Sequence, residues 1–389
     1  MHTSVKYIHD NAETLSAEHI PSDEAGQLSG AAIQVLLDSR GMRLMQSVDR
    51  GGFEASPADF MEWVRSVGRY NPSAGWVAGV VGVHPWEIAL VDTQLQEEIY
   101  GEDPDTWVAS PYAPQGRAVP VDGGFRFTGE WQYSTGTDHC DWVVLGGLIA
   151  DKSGMPQQPV EMCHFFLPRT DYEIVPDSWD TLGLLGTGSK NVRVTDAFVP
   201  AYRTVDHTTL SEGGYAARRP GCPLFQLPWG CMFSAAIAAS TFGIAEGAIE
   251  QYRASLQTRR STMGVVGKTD PFQQEALAEV EADLAAGIAH VDMMIEGWLA
   301  QLAAGDTISK GQRLQFRRNQ VRAVQRVLFG VDKLFSRAGS AAIWTPRGLE
   351  RYWRDLRTAG THVCDMADVV YCAWANHAFD TEGPVNVMH

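Results

Sequence analysis

The most informative stretch of this chain is Gly129–Trp142, which reads Gly-Glu-Trp-Gln-Tyr-Ser-Thr-Gly-Thr-Asp-His-Cys-Asp-Trp. The alternating run Phe125–Thr128 comes before it, and an apolar run continues after it from Trp142 to Ile149. Short apolar or alternating runs bounded by Gly and Asp are typical of β-strands. The pattern therefore predicts two antiparallel strands joined by a loop.

The predicted loop brings together aromatic, hydroxyl and glycine residues: Trp131, Tyr133, Ser134, Thr135 and Gly136. Aromatic rings can stack on a flat ligand, hydroxyl groups can bond to its edge, and glycine lets it approach the backbone. A flat, partly polar ligand suits such a surface. An ordinary β-turn with an aromatic plug explains the same residues equally well, so the segment alone leaves both interpretations open.

Length and composition predict a folded protein with a large core. The chain has 389 residues, of which 44% are hydrophobic and 20% charged, enough for two or three subdomains. Its formal net charge of −16 argues against nucleic acid or an anionic membrane as a partner. The sequence has no run of about 18 uncharged apolar residues and no secretory signal pattern. Its six cysteines lack metal-binding spacing. We therefore expect a cytoplasmic protein with reduced thiols and no membrane span.

Three kinds of pattern follow one another along the chain and predict an α+β protein. Residues 1–105 read as an N-terminal helical domain, which includes a small-residue helix at Ser73–Gly82. Residues 106–213 read as a central small β domain of short strands separated by turn signals. Residues 214–389 read as a C-terminal four-helix bundle. Its predicted helices are 235–260, 270–302, 309–338 and 365–379.

The motif Gly-x-Trp-x-aromatic-Ser-Thr-Gly, followed by Asp-Trp, resembles the flavin-facing strand of the acyl-CoA dehydrogenase fold. The order of helices, β domain and bundle agrees with that fold. The variant at Gly129–Trp142 is similar to the fold's flavin-dependent monooxygenase branch, the oxygenase components of two-component phenol hydroxylases. Within that branch it is similar to members that act on the phenolic ring of a seco-steroid. The resemblance covers nearly the whole chain, and it implies reduced FMN or FAD as the cofactor.

The resemblance assigns roles to the loop residues. It implies that Trp131, Tyr133, Ser134, Thr135 and Gly136 contact the flavin. Thr135 occupies the place of a Ser or Thr whose hydroxyl bonds to the flavin N5 region. Reduced flavin and molecular oxygen form a C4a-hydroperoxide there, and it loses peroxide unless that region is held and kept dry. The resemblance therefore makes Thr135 both a cofactor-binding and a catalytic residue.

Two further segments match flavin-binding parts of the family. The segment Gly183-Leu-Leu-Gly-Thr-Gly-Ser189 resembles one that lies close to the flavin, which implies that Thr187 and Ser189 are cofactor contacts. Arg260 resembles an arginine that reaches the flavin phosphate of a neighbouring subunit, although Met263-Gly264 replaces the usual Phe-Gly. A strand-linking turn and a basic helix end are the alternative interpretations.

His362 stands in the segment Arg351–Asp365, which is the second strong match. In the dehydrogenases of this fold, a Glu that removes the substrate α-proton follows a similar Arg-Asp pair by eight residues. Here Arg354-Asp355 is followed by His362 and Val363, with no Glu nearby. A histidine suits the deprotonation of a phenol, so the resemblance implies that His362 is the catalytic base. A helix-capping or surface histidine is the alternative.

The resemblance also implies a substrate pocket lined by His84 and Ser110. Trp76 would form a wall of the same pocket, although core packing would account for it as well. The eleven histidines show no paired i, i+4 spacing, so no metal site is predicted.

The function that follows is the ortho-hydroxylation of a small aromatic, phenolic substrate. A separate NAD(P)H-dependent flavin reductase would supply the reduced flavin, because the chain shows no second nucleotide motif. The resemblance also implies a homotetramer. Two alternatives stay open: an acyl-CoA dehydrogenase-like flavoenzyme, and a relative of the same fold that oxidises nitrogen or sulfur.

Overall fold

In the computed structural model of the chain, which describes residues 1–260, 264–345, 348–381 and 388–389, helices come before and after a β-sheet. The helices that precede the sheet are α1 (Thr3–Asp10), α2 (Ala12–Ala17), α3 (His19–Ala25), α4 (Gly30–Ser39), α5 (Pro57–Tyr70), α6 (Pro72–Gly82), α7 (His84–Ile88) and α8 (Thr93–Tyr100). Helices α5 and α6 begin where the sequence offers caps, because the side chains of Ser56 and Asn71 accept backbone N–H groups and a proline follows each. The small-residue helix predicted at Ser73–Gly82 is confirmed as α6.

Among the described residues, eight strands form one sheet. They are β1 (Val108–Ala109), β2 (Gly116–Val121), β3 (Gly124–Trp131), β4 (Trp142–Ile149), β5 (Met162–Pro168), β6 (Glu173–Ile174), β7 (Val192–Pro200) and β8 (Thr204–Asp206). The order across the sheet is β6-β7-β3-β2-β4-β5-β8, and β1 pairs with β4. Strands β3 and β4 run in opposite directions but do not pair. Strand β2 lies between them, antiparallel to β3 and parallel to β4. Their connection is too long for a tight hairpin turn and leaves room for that third strand.

Trp131 ends β3 and fills the core of the sheet. Its side chain is fully buried, and its Nε1–H group lies 3.1 Å from the carbonyl of Ala113 and 2.8 Å from that of Gly146. Its ring lies beside Phe127, which stacks on Phe165 at a centroid distance of 4.2 Å. Because both polar and apolar parts of the indole are satisfied inside the sheet, Trp131 fixes the point where the following loop begins.

The helices that follow the sheet are α9 (His207–Ser211), α10 (Trp229–Thr258), α11 (Pro271–Ala303), α12 (Lys310–Ala338), α13 (Leu349–Ala359) and α14 (Ala367–Ala378). Helices α10, α11, α12 and α14 correspond to the four predicted from the sequence, whereas α13 was not among them. Of the described helices, α10 has the length and composition of a membrane-crossing segment, and 94% of its most apolar window is buried inside the fold. We interpret α10 as the core helix against which α5, α6 and α12 pack.

Glycines let α5, α6 and α10 approach one another closely. A methyl group at Gly75 of α6 would overlap the backbone of Gly68 in α5, and one at Gly68 would touch the backbone of Gly243 in α10. The hydroxyl of Ser240 in α10 donates to the carbonyl of Gly75 at 3.0 Å. This close packing holds α6, which carries Trp76, against the bundle.

Substitution of Gly75 by Ala tests this close packing. Because the added methyl group meets backbone rather than a flexible side chain, we expect Gly75→Ala to lower the free energy of unfolding by about 1–3 kcal/mol. Gly30→Ala is the matched control. Gly30 lies in the first turn of α4 with nothing within 4 Å of an added methyl group, so this change should leave stability equal or slightly higher. Thermal and denaturant unfolding compare the two, and equal stability of both variants would contradict the packing described.

Candidate functional site

The loop between β3 and β4 turns its hydroxyl groups inward. Tyr133 and Gly136 adopt left-handed backbone conformations, with φ of 67° and 68°. The amide of Ser134 donates to the carbonyl of Lys190 (3.1 Å), and the amide of Gly136 donates to the carbonyl of Thr187 (3.0 Å). These two bonds lock the loop onto the segment Gly183–Ser189. They bring together residues that lie more than fifty positions apart and were predicted separately to contact the cofactor.

Three buried hydroxyl groups form a chain across this contact. Thr135 Oγ1 lies 3.0 Å from Ser189 Oγ, and Ser189 Oγ lies 2.8 Å from Thr187 Oγ1. Thr187 Oγ1 donates to the carbonyl of Leu184 at 2.7 Å. Since each hydroxyl has one proton, all three contacts are filled only when Thr135 donates to Ser189 and Ser189 donates to Thr187. The lone pairs of Thr135 are then available, so this residue can accept a hydrogen bond from a ligand.

The other loop residues have different surroundings. Ser134 is fully buried, and its hydroxyl has no hydrogen-bond partner within the described part of the chain. A buried polar group without a partner is costly, so this hydroxyl is available to bond to a ligand. Tyr133 is 66% exposed, with its ring edge toward Trp179. The indole of Trp131 is committed to the core of the sheet, so its expected cofactor contact has no support from its side-chain placement.

A buried cluster anchors the segment Gly183–Ser189 from behind. The carboxylate of Asp355 in α13 accepts the amide of Leu184 at 2.6 Å and lies 3.0 Å from His19 Nε2. Asp23 accepts the amide of Gly186 at 3.0 Å. One ligating atom each of His19, Asp23 and Asp355 lies within 4.8 Å of the others, a spacing that could hold a metal ion. Because both carboxylates already accept backbone amides, we interpret the cluster as an anchor of this segment. The sequence marked Asp355 only as part of a motif and gave no sign of this role.

A second group of residues forms an aromatic wall between α6, α10 and the segment after α13. The ring of His362 lies 5.6 Å from Trp76 and 6.2 Å from Phe233. The ring of His84 lies nearly parallel to that of Phe233, with the centroids 6.5 Å apart. The structure therefore brings Trp76, His84 and His362 to one place, as the sequence predicted. Phe233 was missed, because one apolar residue in a long apolar helix carries no distinguishing signal.

Helix α6 connects this aromatic wall to the hydroxyl loop. Trp76 contacts His362, while its neighbour Val77 lies 3.1 Å from the position of a methyl group added to Gly136. The hydroxyl loop and the aromatic wall therefore both contact α6, through consecutive residues of that helix. Gly136 is needed at this point because its left-handed backbone and the closeness of Val77 both disfavour a side chain.

Backbone and hydroxyl contacts fix the proton positions on His84. Its Nδ1–H donates to the carbonyl of Val108 at 2.5 Å, so neutral His84 carries its proton there. Its Nε2 lies 2.7 Å from the hydroxyl of Ser110, which must then be the donor. Burial lowers the pKa of His84 to about 4, although Glu87 opposes this effect. At neutral pH, His84 is therefore an uncharged base whose lone pair already holds the proton of Ser110.

His362 has the opposite arrangement. Its Nδ1 accepts the backbone N–H of Cys364 at 3.2 Å, so the neutral ring carries its proton on Nε2. Burial lowers the pKa of His362 to about 4, and the positive charge of Arg317 adds to this effect. Arg317 also donates to the carbonyl of Cys364 at 2.8 Å and so holds the segment in place. A ring with both nitrogens occupied in this way is a hydrogen-bond donor, so this geometry does not support the role of catalytic base expected for His362.

Arg260 is exposed and lies outside this site within the chain. It forms a β-bridge with Val266 and donates to the carbonyl of Gly264 at 3.1 Å. The neighbouring Met263, on which part of the sequence comparison depended, lies outside the described residues. The expected contact with a neighbouring subunit's flavin stays a prediction.

Known proteins share both the sequence and the shape of this chain. Residues 235–365 match the family described as acyl-CoA dehydrogenase, C-terminal domain. The chain is 38% identical to a pigment production hydroxylase of Rhodococcus erythropolis, over 99% of this chain and 98% of that protein. It is 35% identical to HsaA of Mycobacterium tuberculosis, a flavin-dependent monooxygenase oxygenase subunit, over 92% of this chain and 90% of that protein. It superimposes on the crystal structure of 3-HSA hydroxylase from Rhodococcus sp. RHA1 with a TM-score of 0.93 at 32% identity, covering 100% of this chain and 98% of that one.

Substitution of Asp355 by Asn tests the anchor behind the segment Gly183–Ser189. A carboxylate has two acceptor oxygens, one for the amide of Leu184 and one for His19, whereas an Asn side chain has only one. The loss of a hydrogen bond to a buried charged group costs about 1.5–3 kcal/mol. We expect the amides of this segment to exchange with deuterium about 10- to 100-fold faster. Asp332→Asn is the control, because Asp332 binds Trp353 and Arg357 elsewhere on α13. If exchange in the segment rises equally in both variants, or in neither, Asp355 is not the anchor.

Proposed function

The chain belongs to the flavin-dependent monooxygenases of the acyl-CoA dehydrogenase fold, as the oxygenase component of a two-component system, and on that premise we propose that it hydroxylates a phenol beside its hydroxyl group. The fold expected from the sequence and the monooxygenase class are confirmed by these likenesses. The phenolic substrate, the position of attack and the residues that act on it are our proposal.

The hydroxyl loop fits a reduced flavin. The free lone pairs of Thr135 can accept a hydrogen bond from the N5–H group, which reduced flavin carries. The unpartnered hydroxyl of Ser134 supplies a further polar contact inside the same buried loop. Reduced FMN or FAD, once bound, supplies the electrons that activate molecular oxygen for transfer of one oxygen atom. The buried position of Thr135 and Ser189 keeps bulk water away from this contact.

Ser110 and His84 can take the proton of a phenol. The Ser110 hydroxyl donates to His84 Nε2, so its oxygen has lone pairs left for a phenolic O–H group. As Ser110 accepts that proton, it can pass its own to His84, and the carbonyl of Val108 holds the ring in place throughout. Loss of the proton makes the ortho carbon of the phenol more nucleophilic. The observation that carries the proposal is this Val108–His84–Ser110 chain, in which Ser110 donates to His84 and His84 donates to the Val108 carbonyl.

His362 also lies beside Phe233 and would act as a hydrogen-bond donor. With its Nε2–H directed away from the backbone, it can donate a hydrogen bond to an oxygen atom in the pocket. Trp76 meets the His362 ring edge to face, and Phe233 lies tilted beside it. We therefore propose His362 as a catalytic hydrogen-bond donor and transfer the role of base, expected for His362 from the sequence, to Ser110 and His84.

The alternative functions lack a supporting observation. A dehydrogenase of this fold needs a free carboxylate to remove an α-proton. Two buried acids lie near this wall: Glu87 is occupied by three hydrogen-bond donors, and Asp365, three residues after His362, accepts from Gln320 at 2.7 Å. A relative that oxidises nitrogen or sulfur has no need of a chain that accepts a phenolic proton. Neither alternative uses the bond between Ser110 and His84.

The partners follow from the two-component chemistry. An oxygenase component of this kind takes its reduced flavin from a separate flavin reductase, which we propose uses NAD(P)H. We further propose a homotetramer, in which Arg260 reaches a neighbouring subunit. Because relatives include a 3-HSA hydroxylase, a phenolic seco-steroid belongs among the substrates to be tested.

One coupled assay tests the proposed function. Purified protein, a separate flavin reductase, NADH and a panel of phenols should consume oxygen and yield catechols, whereas the methyl ether of the same phenol should yield hydrogen peroxide instead. Ser110→Ala should lower coupled hydroxylation by about 100- to 10,000-fold, and a more acidic phenol should restore part of it. Ser110→Thr, which keeps the hydroxyl, is the matched control.

Two results would contradict the proposal. Equal hydroxylation of the phenol and its methyl ether would show that no proton needs to leave. Wild-type coupling in Ser110→Ala would remove Ser110 from the reaction.

A further inference from the structure

Glu87 is a buried carboxylate that no part of the proposed function uses. It lies on α7, three residues after His84, and is 2% exposed. It accepts hydrogen bonds from Tyr112 Oη (2.6 Å), His164 Nδ1 (2.8 Å) and Trp229 Nε1 (2.9 Å). Burial opposes ionisation, but His164, Tyr112 and Trp229 together outweigh it and hold the pKa of Glu87 below its ordinary value. The side chain is therefore a carboxylate at neutral pH.

This carboxylate has no permanent cation beside it. Throughout the described residues, its one ion-pair partner within 4.0 Å is His164. His164 Nε2 lies 3.1 Å from His207 Nδ1. If His207 donates there while His164 donates from Nδ1 to Glu87, every contact is filled with both imidazoles neutral. In that arrangement the group carries one net negative charge in the interior, and a buried charge without a cationic partner costs free energy.

The charge lies beside the proposed base. The ring of Tyr112 contacts both His84 (centroids 5.8 Å apart) and His164 (4.7 Å), and its hydroxyl bonds to Glu87. The groups that face His84 are the Val108 carbonyl, Ser110, Tyr112, Phe233, Glu87 and His164. Among them, Glu87 alone carries a permanent charge.

We propose that Glu87 is a positioning residue whose negative charge stabilises the imidazolium that forms on His84 when the proton of the phenol arrives. The inference rests on the proposed function, because it needs His84 as the final acceptor. In the buried pocket an opposite charge nearby acts with little screening by water. The three donors around Glu87 hold the carboxylate in place without neutralising it.

The sign of the expected effect follows directly. When Glu87 is replaced by Gln, the charged form of His84 loses its counter-charge while the neutral form is unaffected. Transfer of the proton from phenol to His84 then becomes less favourable. We expect the fraction of bound phenol that exists as phenolate to fall by about tenfold or more at a given pH. A purely structural role would not change this fraction in a charge-dependent way.

Fluorine NMR of a fluorinated phenol measures that fraction, because the ¹⁹F shift of a fluorophenol differs between phenol and phenolate. The holoenzyme with reduced flavin is used without oxygen, at a pH where the free compound is protonated. We expect the wild-type signal shifted toward phenolate, a Glu87→Gln signal near that of the phenol, and a Glu87→Asp signal that returns toward phenolate. Trp229→Phe removes one donor from Glu87 but keeps its charge, so its phenolate fraction should equal or exceed that of the wild type.

Each outcome decides one point. If the wild type binds phenolate and Glu87→Gln does so equally, the inference about Glu87 fails and the proposed function stands. If the wild type hydroxylates a phenol that it binds fully protonated, the proposed role of Ser110 and His84 fails. Should Glu87→Gln not fold, Trp229→Phe still decides, since loss of phenolate in that variant would show that bonding geometry and not charge is responsible.

Discussion

Two backbone groups give the two pocket histidines opposite tautomers. The carbonyl of Val108 accepts from His84 Nδ1, and the amide of Cys364 donates to His362 Nδ1. A carbonyl can only accept and an amide can only donate, so neither ring can exchange its role without losing its anchor. The aromatic wall therefore has one imidazole with its proton on Nδ1 and one with its proton on Nε2. Burial keeps both uncharged at neutral pH.

Hydrogen-bond direction is fixed in the same way in the chain of hydroxyl groups formed by Thr135, Ser189 and Thr187. Thr187 is committed to the carbonyl of Leu184, which orients Ser189 and then Thr135. The carbonyl of Leu184 is held because its own amide is bound by Asp355 in α13. The Thr135 hydroxyl is therefore oriented, through this chain of contacts, by a residue of α13. In physical terms, the hydroxyl chain and the bundle have to form together.

The sequence predicted the fold well because most of it depends on local patterns. Small-residue packing identified α6, and short apolar or alternating runs identified β3 and β4. The pairing of β2 between β3 and β4 was not predictable in that way, since it depends on long-range contacts that periodicity does not record. Helix α13 was missed because its apolar face is narrow and most of its residues are polar or charged.

The sequence predicted which residues lie close together better than it predicted what each of them does. Trp76, His84, Ser110 and His362 do meet, and so do Thr135, Thr187 and Ser189. The tautomers of the two histidines could not be predicted from the sequence, because a tautomer depends on which backbone group lies within about 3 Å of the ring. Glu87 and Asp355 were passed over for a related reason. Sequence patterns predict that an acidic residue lies on the surface, in contact with water. Only the structure shows the buried hydrogen-bond donors that hold these two acids in the interior.

Neutron diffraction from a crystal of the deuterated protein near neutral pH tests the assignment of opposite tautomers most directly, because it locates the ring protons themselves. The account predicts deuterium on Nδ1 of His84 and on Nε2 of His362, with the other nitrogen of each ring bare. Deuterium on Nε2 of His84, or on Nδ1 of His362, would contradict it.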